Sequence, residues 1–191
     1  GFSIVKYTGD GSASSTVGHG LGVIPDITIF KKTNGTDYWH VFNTATNSVT
    51  FLNETINAPT NAGGTNGAVD IANMTSTKFG FIQGSSSVNN QNGNGSDYIV
   101  YCFKSIAGFS KFGSYTAVSG DNFIETGFKP KFVMIKCTSH SGTHWEILDS
   151  ARSPGLLSNT SAVRLRANNN SADAGFNDTP VRFLSNGFML K

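Results

Sequence analysis

The chain has 191 residues, a net charge of +2 and only 14% charged residues, so it lacks the dense basic surface that follows a nucleic-acid backbone. Its 15 Phe, 5 Tyr and 2 Trp can bury a large apolar core, which excludes a disordered chain. No apolar stretch approaches the ~20 residues of a membrane-spanning helix, so we expect no membrane insertion.

An internal repeat organises the sequence, because several short segments return in the same order about 106 residues later. The repeated segments are Gly1-Phe2-Ser3 and Gly108-Phe109-Ser110, Gly22-x-x-Pro25 and Gly127-x-x-Pro130, Lys31-Lys32-Thr33 and Lys136-Cys137-Thr138, Trp39 and Trp145, and Gly80-Phe81 and Gly187-Phe188. These positions predict two closely packed repeats, residues 1–107 and 108–191. No catalytic group is kept in both copies, which favours a structural or binding module over an enzyme.

Strand patterns dominate the chain, while a short helical turn is conceivable only at 150–157. The runs at 26–31, 98–103 and 131–136 are apolar on both alternate faces, as in central strands. Further strands are predicted at 39–42 and 145–148, each after a Gly-containing turn. The sequence therefore predicts an all-β fold, a β-sandwich of the jelly-roll or concanavalin A-like type built from two repeats.

The repeated Gly-x-x-Pro segment and the repeated tryptophan each have a structural interpretation. We expect Gly22 and Gly127 to take a positive φ, since glycine has no Cβ to oppose it. Pro25 and Pro130 suit the start of a strand. The two tryptophans are predicted to fill the sandwich core, and the alternative is a platform on which a sugar ring stacks.

Asn-, Gly- and Ser-rich segments at 58–70, 84–96 and 168–178 are predicted to be exposed loops. Binding residues often lie in loops on a rigid scaffold, so these loops suggest a polar rim that contacts glycan. Neutral sequence drift explains the same composition equally well. The candidate contact residues are Tyr38, Asn66, Asn89, Asn92, Asn94, His140, His144 and Asn168.

The two copies differ at their ends. The first copy continues beyond Gly80-Phe81 to the apolar run at 98–103, and no equivalent run follows Gly187-Phe188. Two explanations remain open at this stage: the chain continues, or the two copies share one sheet in which that strand is needed once.

Residues that could support metal or nucleophilic chemistry are few. His140 and His144 are four residues apart, but Gly142 predicts a hairpin turn, where that spacing does not favour a metal. His19 and His40 are isolated and are predicted to lie in turns or on the surface. Cys102 and Cys137 both fall in apolar runs and are predicted to be buried thiols, with a disulfide left open.

Glycan hydrolysis would need two carboxylates across a cleft, but Glu146 and Asp149 lie on one strand and its exit. The first copy has His40 and Asn43 at those positions. No phosphate-binding loop, dinucleotide fingerprint or calcium loop is present, so we expect no enzyme activity, no cofactor and no bound metal.

The segments at 17–26, 108–116, 126–136, 145–152 and 183–190 together resemble a domain repeated in structural proteins of tailed phages, especially marine ones, often described as tail fibre. This resemblance covers the whole chain. It implies an exposed location on the virion, contacts with other virion proteins, homo-oligomerisation with a trimer favoured, and recognition of host surface glycan. It implies no particular ligand-binding residue. The alternatives are an architectural capsid-decoration or fibre-shaft protein, a glycan hydrolase and a bacterial surface adhesin.

Overall fold

The computed structural model describes residues 1–57, 69–71, 73–82, 91–152, 163–171, 174–175 and 181–191. Within these residues the fold is all-β, as predicted, with antiparallel sheets arranged as in a sandwich. The strands are β1 (Phe2–Thr8), β2 (Thr16–Gly18), β3 (Ile27–Lys32), β4 (His40–Asn43), β5 (Ser48–Phe51), β6 (Lys78–Gly80), β7 (Asp97–Phe103), β8 (Asn122–Glu125), β9 (Phe132–Lys136), β10 (Trp145–Asp149), β11 (Val163–Arg166), β12 (Ala174–Gly175), β13 (Val181–Leu184) and β14 (Gly187–Leu190).

The first copy contains a five-stranded sheet in the order β1-β7-β3-β4-β5 and a small sheet of β2 and β6. Side chains along β7 alternate between the core face and the outer face of the sheet. Tyr98, Val100 and Cys102 face the core and are buried. These side chains belong to one face, and the small sheet supplies Phe79 to the same core cluster. The prediction of central strands at 26–31 and 98–103 is confirmed. The same prediction for 131–136 is wrong, because among the described residues β9 pairs with β10 alone and so lies at the edge of its sheet.

The second copy also has seven strands among the described residues, divided differently between its two sheets. One sheet has the order β12-β11-β10-β9, and the other has the order β13-β14-β8. A separate core cluster lies here, formed by Val133, Leu148, Val181, Phe183 and Phe188. The pairing of β8 with β14 matches that of β2 with β6, since each joins the strand before Gly-x-x-Pro to the strand near the Gly-Phe pair.

Repeated local devices place these strands alike in the two copies. Gly22 has φ +74° and Gly127 has φ +84°, so the predicted left-handed glycine before each proline is confirmed. In each copy, the carbonyl of the residue after the proline accepts a hydrogen bond from the backbone N–H of the residue that follows the neighbouring strand. Thr44 donates to Asp26 at 3.0 Å, and Ser150 donates to Lys131 at 2.9 Å.

Four predictions about single side chains are wrong. His19 and His40 are buried rather than exposed; the His19 ring bonds to the Thr75 carbonyl at 3.0 Å, which compensates its burial. Trp39 is partly exposed on the outer face of the five-stranded sheet, whereas Trp145 is buried as predicted. Cys137 is partly exposed, because it comes directly after β9 ends; both cysteines are free thiols.

Candidate functional site

Most predicted contact residues lie at one end of the strands, which we call the loop end. In the first copy, β3, β5 and β1 finish there while β4 and β7 begin there, as antiparallel pairing requires. In the second copy β9 and β11 finish there and β10 begins there. The connections at this end span residues 33–39, 52–57, 91–96, 137–144 and 167–171.

The two copies touch at the loop end. The Trp145 Nε1–H group donates to the Phe51 carbonyl at 2.8 Å, and the Gly142 N–H donates to the Thr55 carbonyl at 2.9 Å. The Tyr38 ring lies against that of Phe51, with centroids 4.9 Å apart. These contacts place Tyr38 beside the junction and bring the loops of both copies onto one surface.

The six predicted residues that the structure describes all lie at the loop end, but in different environments. Asn94 and His140 are exposed, whereas Tyr38, His144 and Asn168 are partly buried. Asn92 is buried, contrary to the expectation of an exposed loop side chain. Asn66 and Asn89 lie outside the described residues.

Asn92 is a structural residue that joins two loops. Its amide nitrogen donates to the Asp10 carboxylate at 2.8 Å and to the Ser12 carbonyl at 2.9 Å. Hydrogen bonds from Ser15, Ser12 and Asn92 lower the pKa of Asp10 to about 2. The side chain of Asn92 thus stabilises the loop. A ligand at this end would contact neighbouring exposed residues and not Asn92.

Asn168 has a role that recurs in the first copy. Its side-chain oxygen accepts the Trp145 N–H at 2.9 Å, while its nitrogen lies 2.9 Å from His144 Nδ1. In the first copy the Asn53 side chain accepts the Trp39 N–H at the same distance of 2.9 Å. An asparagine side chain therefore accepts the backbone N–H of each tryptophan, at the first residue of β10 and directly before β4, which argues that Asn168 stabilises the loop end.

A second repeated device fixes the turn before each tryptophan. The ammonium of Lys31 donates to the Asp37 carbonyl, and the ammonium of Lys136 donates to the Thr143 carbonyl. Burial lowers the pKa of Lys136, although its neighbour Cys137 opposes that shift.

An aromatic platform lies on the outer face of the first copy. The rings of Trp39 and Tyr101 are nearly parallel, with an interplanar angle of 17° and centroids 6.4 Å apart. The Lys31 ammonium lies 5.9 Å from the Trp39 ring centroid, within the range of a cation–π contact. Trp39 and Tyr101 are both partly exposed. We call these three side chains the aromatic platform.

A thiol cluster lies in the β9–β10 connection of the second copy. Cys137 Sγ is 3.6 Å from Ser139 Oγ and 3.8 Å from His140 Nδ1. Hydrogen bonding from Ser139 first, and from His140 next, lowers the pKa of Cys137 to about 7. His140 thus lies beside a thiol, and His144 lies beside Asn168.

The carboxylates considered for hydrolysis are both in ion pairs. Glu146 Oε1 lies 3.1 Å from Arg164 and 3.2 Å from Arg166, on adjacent strands. Asp149 Oδ2 lies 3.1 Å from Arg152, whose backbone N–H is the main cause that lowers the pKa of Asp149. Among the described residues, no group of three His, Cys, Asp or Glu side chains is arranged to hold a metal ion.

Comparison with known proteins gives one family. The model of DUF7483, a domain of unknown function, matches residues 1–191. The chain belongs to the DUF7483 family. No curated protein and no solved structure matches the chain.

The aromatic platform of this DUF7483 domain was not located by sequence reasoning. Trp39 and Tyr101 are 62 residues apart in sequence, since 101 − 39 = 62, and meet because β7 inserts between β1 and β3. The alternation of β7 did place Tyr101 on the face opposite Val100, and that pattern was the available signal. The described residues contain no helix long and apolar enough to cross a membrane.

Proposed function

We propose that this domain is a carbohydrate-binding module without enzyme activity, carried on a virion appendage that contacts the host surface. The observation that carries the binding proposal is the partly exposed aromatic platform beside the polar loop end. The virion assignment is supported by the resemblance of the sequence to tailed-phage structural repeats. Ion pairs at Glu146 and Asp149 support a role without hydrolysis.

The chemistry of the aromatic platform suits a sugar ring. The apolar C–H face of a pyranose packs on an indole or phenol ring, and Trp39 offers such a face. Lys31 has three N–H donors and uses one for the Asp37 carbonyl, so another can bond to a sugar hydroxyl. The neighbouring loops offer neutral polar side chains such as Asn94, which match hydroxyl groups better than charges would.

One such contact is weak, and host adsorption would then depend on several copies. A stacked ring and one or two hydrogen bonds contribute only a few kcal/mol. In a homo-oligomer, for which we favour a trimer, linked sites raise the effective concentration and multiply the affinity for a glycan-covered surface. Other virion proteins would hold the oligomer in place.

Glycan-array binding of platform variants tests the proposal. We expect Trp39→Ala and Tyr101→Ala each to weaken binding at least ~10-fold, since loss of a stacked ring costs about 1.4 kcal/mol or more. Phe2→Ala is the matched control, because Phe2 is an exposed aromatic on the outer face of the same sheet, paired with Phe103 at 4.9 Å. If Trp39→Ala and Tyr101→Ala both bind glycan as well as Phe2→Ala and the wild type do, the aromatic platform is not the binding site.

The virion assignment needs a separate experiment. Cryo-electron microscopy of the source particle would locate the domain and count its copies. Three or six copies at the tail tip would support a receptor-binding appendage. Hundreds of copies over the shell, or along a filament, would instead identify an architectural protein.

The architectural alternative has one structural observation in its favour. Large apolar side chains of the second copy are exposed, among them Phe109, Val118, Phe123 and Phe132. A contiguous group of exposed apolar side chains is typical of a surface that another polypeptide covers. The first copy exposes apolar side chains too, among them Phe2 and Ile4. Both roles can coexist, since the aromatic platform belongs to the first copy and the exposed side chains named first belong to the second.

A further inference from the structure

The two copies differ at one position in their sheets. In the first copy β7 lies between β1 and β3 and pairs with both. In the second copy β9 is the equivalent of β3, and within the described residues it pairs with β10 alone. The segment that repeats β1, residues 108–116, forms no ladder there, with the exception of the single bridge from Ile106 to Ser110.

The edge of β9 that faces away from β10 has its backbone N–H and C=O groups at the same repeat positions as the edge of β3 that faces β7. The Ser150 N–H bonds to the Lys131 carbonyl, so in antiparallel alternation Val133 and Ile135 also face β10. The peptide groups of Phe132, Met134 and Lys136 therefore point away from β10. Within the described residues, no backbone hydrogen bond joins them to another strand.

The first copy shows what these groups bond to when the position is filled. The Thr33 N–H donates to the Asp97 carbonyl of β7 at 2.8 Å, so the alternate residues Ile27, Ile29 and Lys31 face β7. These residues are the repeat equivalents of Phe132, Met134 and Lys136. The same repeat positions therefore bond to a strand in one copy and are open in the other.

The side chains around the open edge are apolar and exposed. Phe132 is 58% exposed, whereas its equivalent Ile27 is partly buried opposite Phe103 of β7. Phe109, in the unpaired segment, is 76% exposed. Ile135 is only partly buried, whereas its equivalent Phe30 lies in the core. Phe132 and Ile135, which belong to β9 itself, would lose solvent exposure if a strand were added beside β9.

We propose that the edge of β9 binds an extended polypeptide segment with the sequence pattern of β7, supplied from outside residues 1–191 and added antiparallel to complete the second sandwich. The register follows from the first copy. Residues equivalent to Cys102 and Val100 would face Val133 and Ile135 on the core side, and residues equivalent to Phe103 and Tyr101 would face Phe132 and Met134 outside.

A second copy of this chain is a poorer donor than a separate partner. The β7 segment of each chain is already paired along Asp97–Phe103 with β1 and along most of that length with β3. Donating it would open the first sandwich in order to close the second. A separate segment of the same pattern completes the second sandwich at no such cost. This inference does not depend on carbohydrate binding.

A synthetic peptide carrying residues 95–105, with serine in place of the cysteine, is the probe for the experiment. We expect it to bind the 191-residue chain, measured by fluorescence anisotropy, and to protect the amides of Phe132, Met134 and Lys136 from hydrogen exchange. Met134→Pro removes an outward N–H while leaving the bonds to β10 in place, so it should weaken binding at least ~10-fold.

Two further variants make that result interpretable. Lys6→Pro is the matched control, since the Gly9 N–H bonds to Ser96 across β1 and β7 and the alternation then points the Lys6 N–H outward. Peptide binding should be unchanged in Lys6→Pro. Phe132→Ser keeps the backbone intact and should also weaken peptide binding. It therefore replaces Met134→Pro as the test if Met134→Pro fails to fold.

Three outcomes would overturn the inference. No binding at ~1 mM peptide would show that the edge does not accept a strand. Binding that Met134→Pro and Phe132→Ser both leave unchanged would place the peptide elsewhere. A concentration-dependent dimer that protects the β9 amides without peptide, measured by sedimentation and hydrogen exchange, would identify a second copy as the occupant.

Discussion

The first and second copies share their local geometry and differ in the completeness of their cores. Both have a left-handed glycine before the proline, a lysine bonded to the turn before the tryptophan, and an asparagine side chain that accepts the backbone N–H of the tryptophan. The first core also contains a strand inserted from 97–103, and the second has no strand at that place within the described residues. Local sequence therefore sets local geometry, while the size of the core depends on a segment distant in sequence.

The largest effect is expected in a pair of equivalent core truncations. Phe30 is buried against Phe42 and Phe79, with ring centroids 5.4 and 5.1 Å away, so Phe30→Ala should destabilise the fold by about 3–5 kcal/mol. Its equivalent Ile135 is only partly buried, so Ile135→Ala should cost about 1–2 kcal/mol. Urea unfolding followed by circular dichroism measures both.

An equal loss in the two variants would contradict the view that the second core is incomplete. The β7-like peptide provides a stricter comparison. If a strand completes the second core, saturating peptide should raise the cost of Ile135→Ala and leave that of Phe30→Ala unchanged.

The junction between the copies gives the next largest effect. Trp145→Phe keeps an aromatic ring but removes the N–H that bonds to the Phe51 carbonyl at 2.8 Å. We expect a loss of about 1–3 kcal/mol, because the buried carbonyl loses its partner. We expect one calorimetric unfolding transition for the wild type and two for Trp145→Phe.

Trp39→Phe is the control for that variant, since Trp39 is the repeat equivalent of Trp145 but lies on the outer face. It should change stability by less than about 0.5 kcal/mol. A single transition in Trp145→Phe, at wild-type stability, would show that the indole bond does not couple the copies.

The chain leaving β7 is anchored by a carboxylate that the second copy replaces with a lysine. Asp26 bonds to the Lys104 ammonium at 2.6 Å and to the Ser105 N–H at 2.8 Å; its equivalent is Lys131. Burial raises the pKa of Asp26, but these bonds outweigh it and hold the pKa below its usual 3.8. The stabilisation is therefore complete above pH 3.8 and is lost as the pH falls through the folded pKa.

Asp26→Asn should accordingly cost about 0.5–1 kcal/mol at pH 7, a modest value because the pair is partly exposed and screened by solvent. The difference from wild type should shrink when urea unfolding is repeated near pH ~2.5. Asp121→Asn, at an exposed position, should show no such difference. A cost that stays constant with pH would assign the effect to packing instead.

Sequence periodicity was sufficient for the fold class and for several strands. The apolar run at 98–103 predicted a central strand, and it lies between two neighbours. The positive φ of Gly22 and Gly127 also followed from residue type, because few other residues adopt it without strain. These features depend on a few consecutive residues, so a single sequence contains the information for them.

Features that depend on packing between distant segments were not predictable in this way. Composition suggested that Asn92 was an exposed loop residue, but the Asp10 loop folds over it. His19 is buried because residues 75–77 provide its partner, and nothing near His19 in sequence indicates that contact. For the candidate site, loop composition indicated residues that the structure places at one end of the sheets, while the contact between Trp39 and Tyr101 required the pairing of β7 with β3.

The two cysteines provide the comparison with the smallest effect on stability and the clearest chemical contrast. Burial first, against a small opposing effect of Ser3, raises the pKa of Cys102 in the first copy to about 11. Ser139 and His140 lower the pKa of Cys137 in the second copy to about 7. Since the thiolate is the nucleophile, iodoacetamide at pH 7 should alkylate Cys137 at least ~100-fold faster than Cys102. Ser139→Ala should slow the reaction at Cys137 by raising its pKa, with a loss of unfolding free energy below about 0.5 kcal/mol, because Ser139 is exposed on the β9–β10 connection. Mass spectrometry of the labelled peptides measures both rates. Comparable rates at the two thiols would contradict the prediction, since they would mean that buried Cys102 is as accessible to the reagent as Cys137.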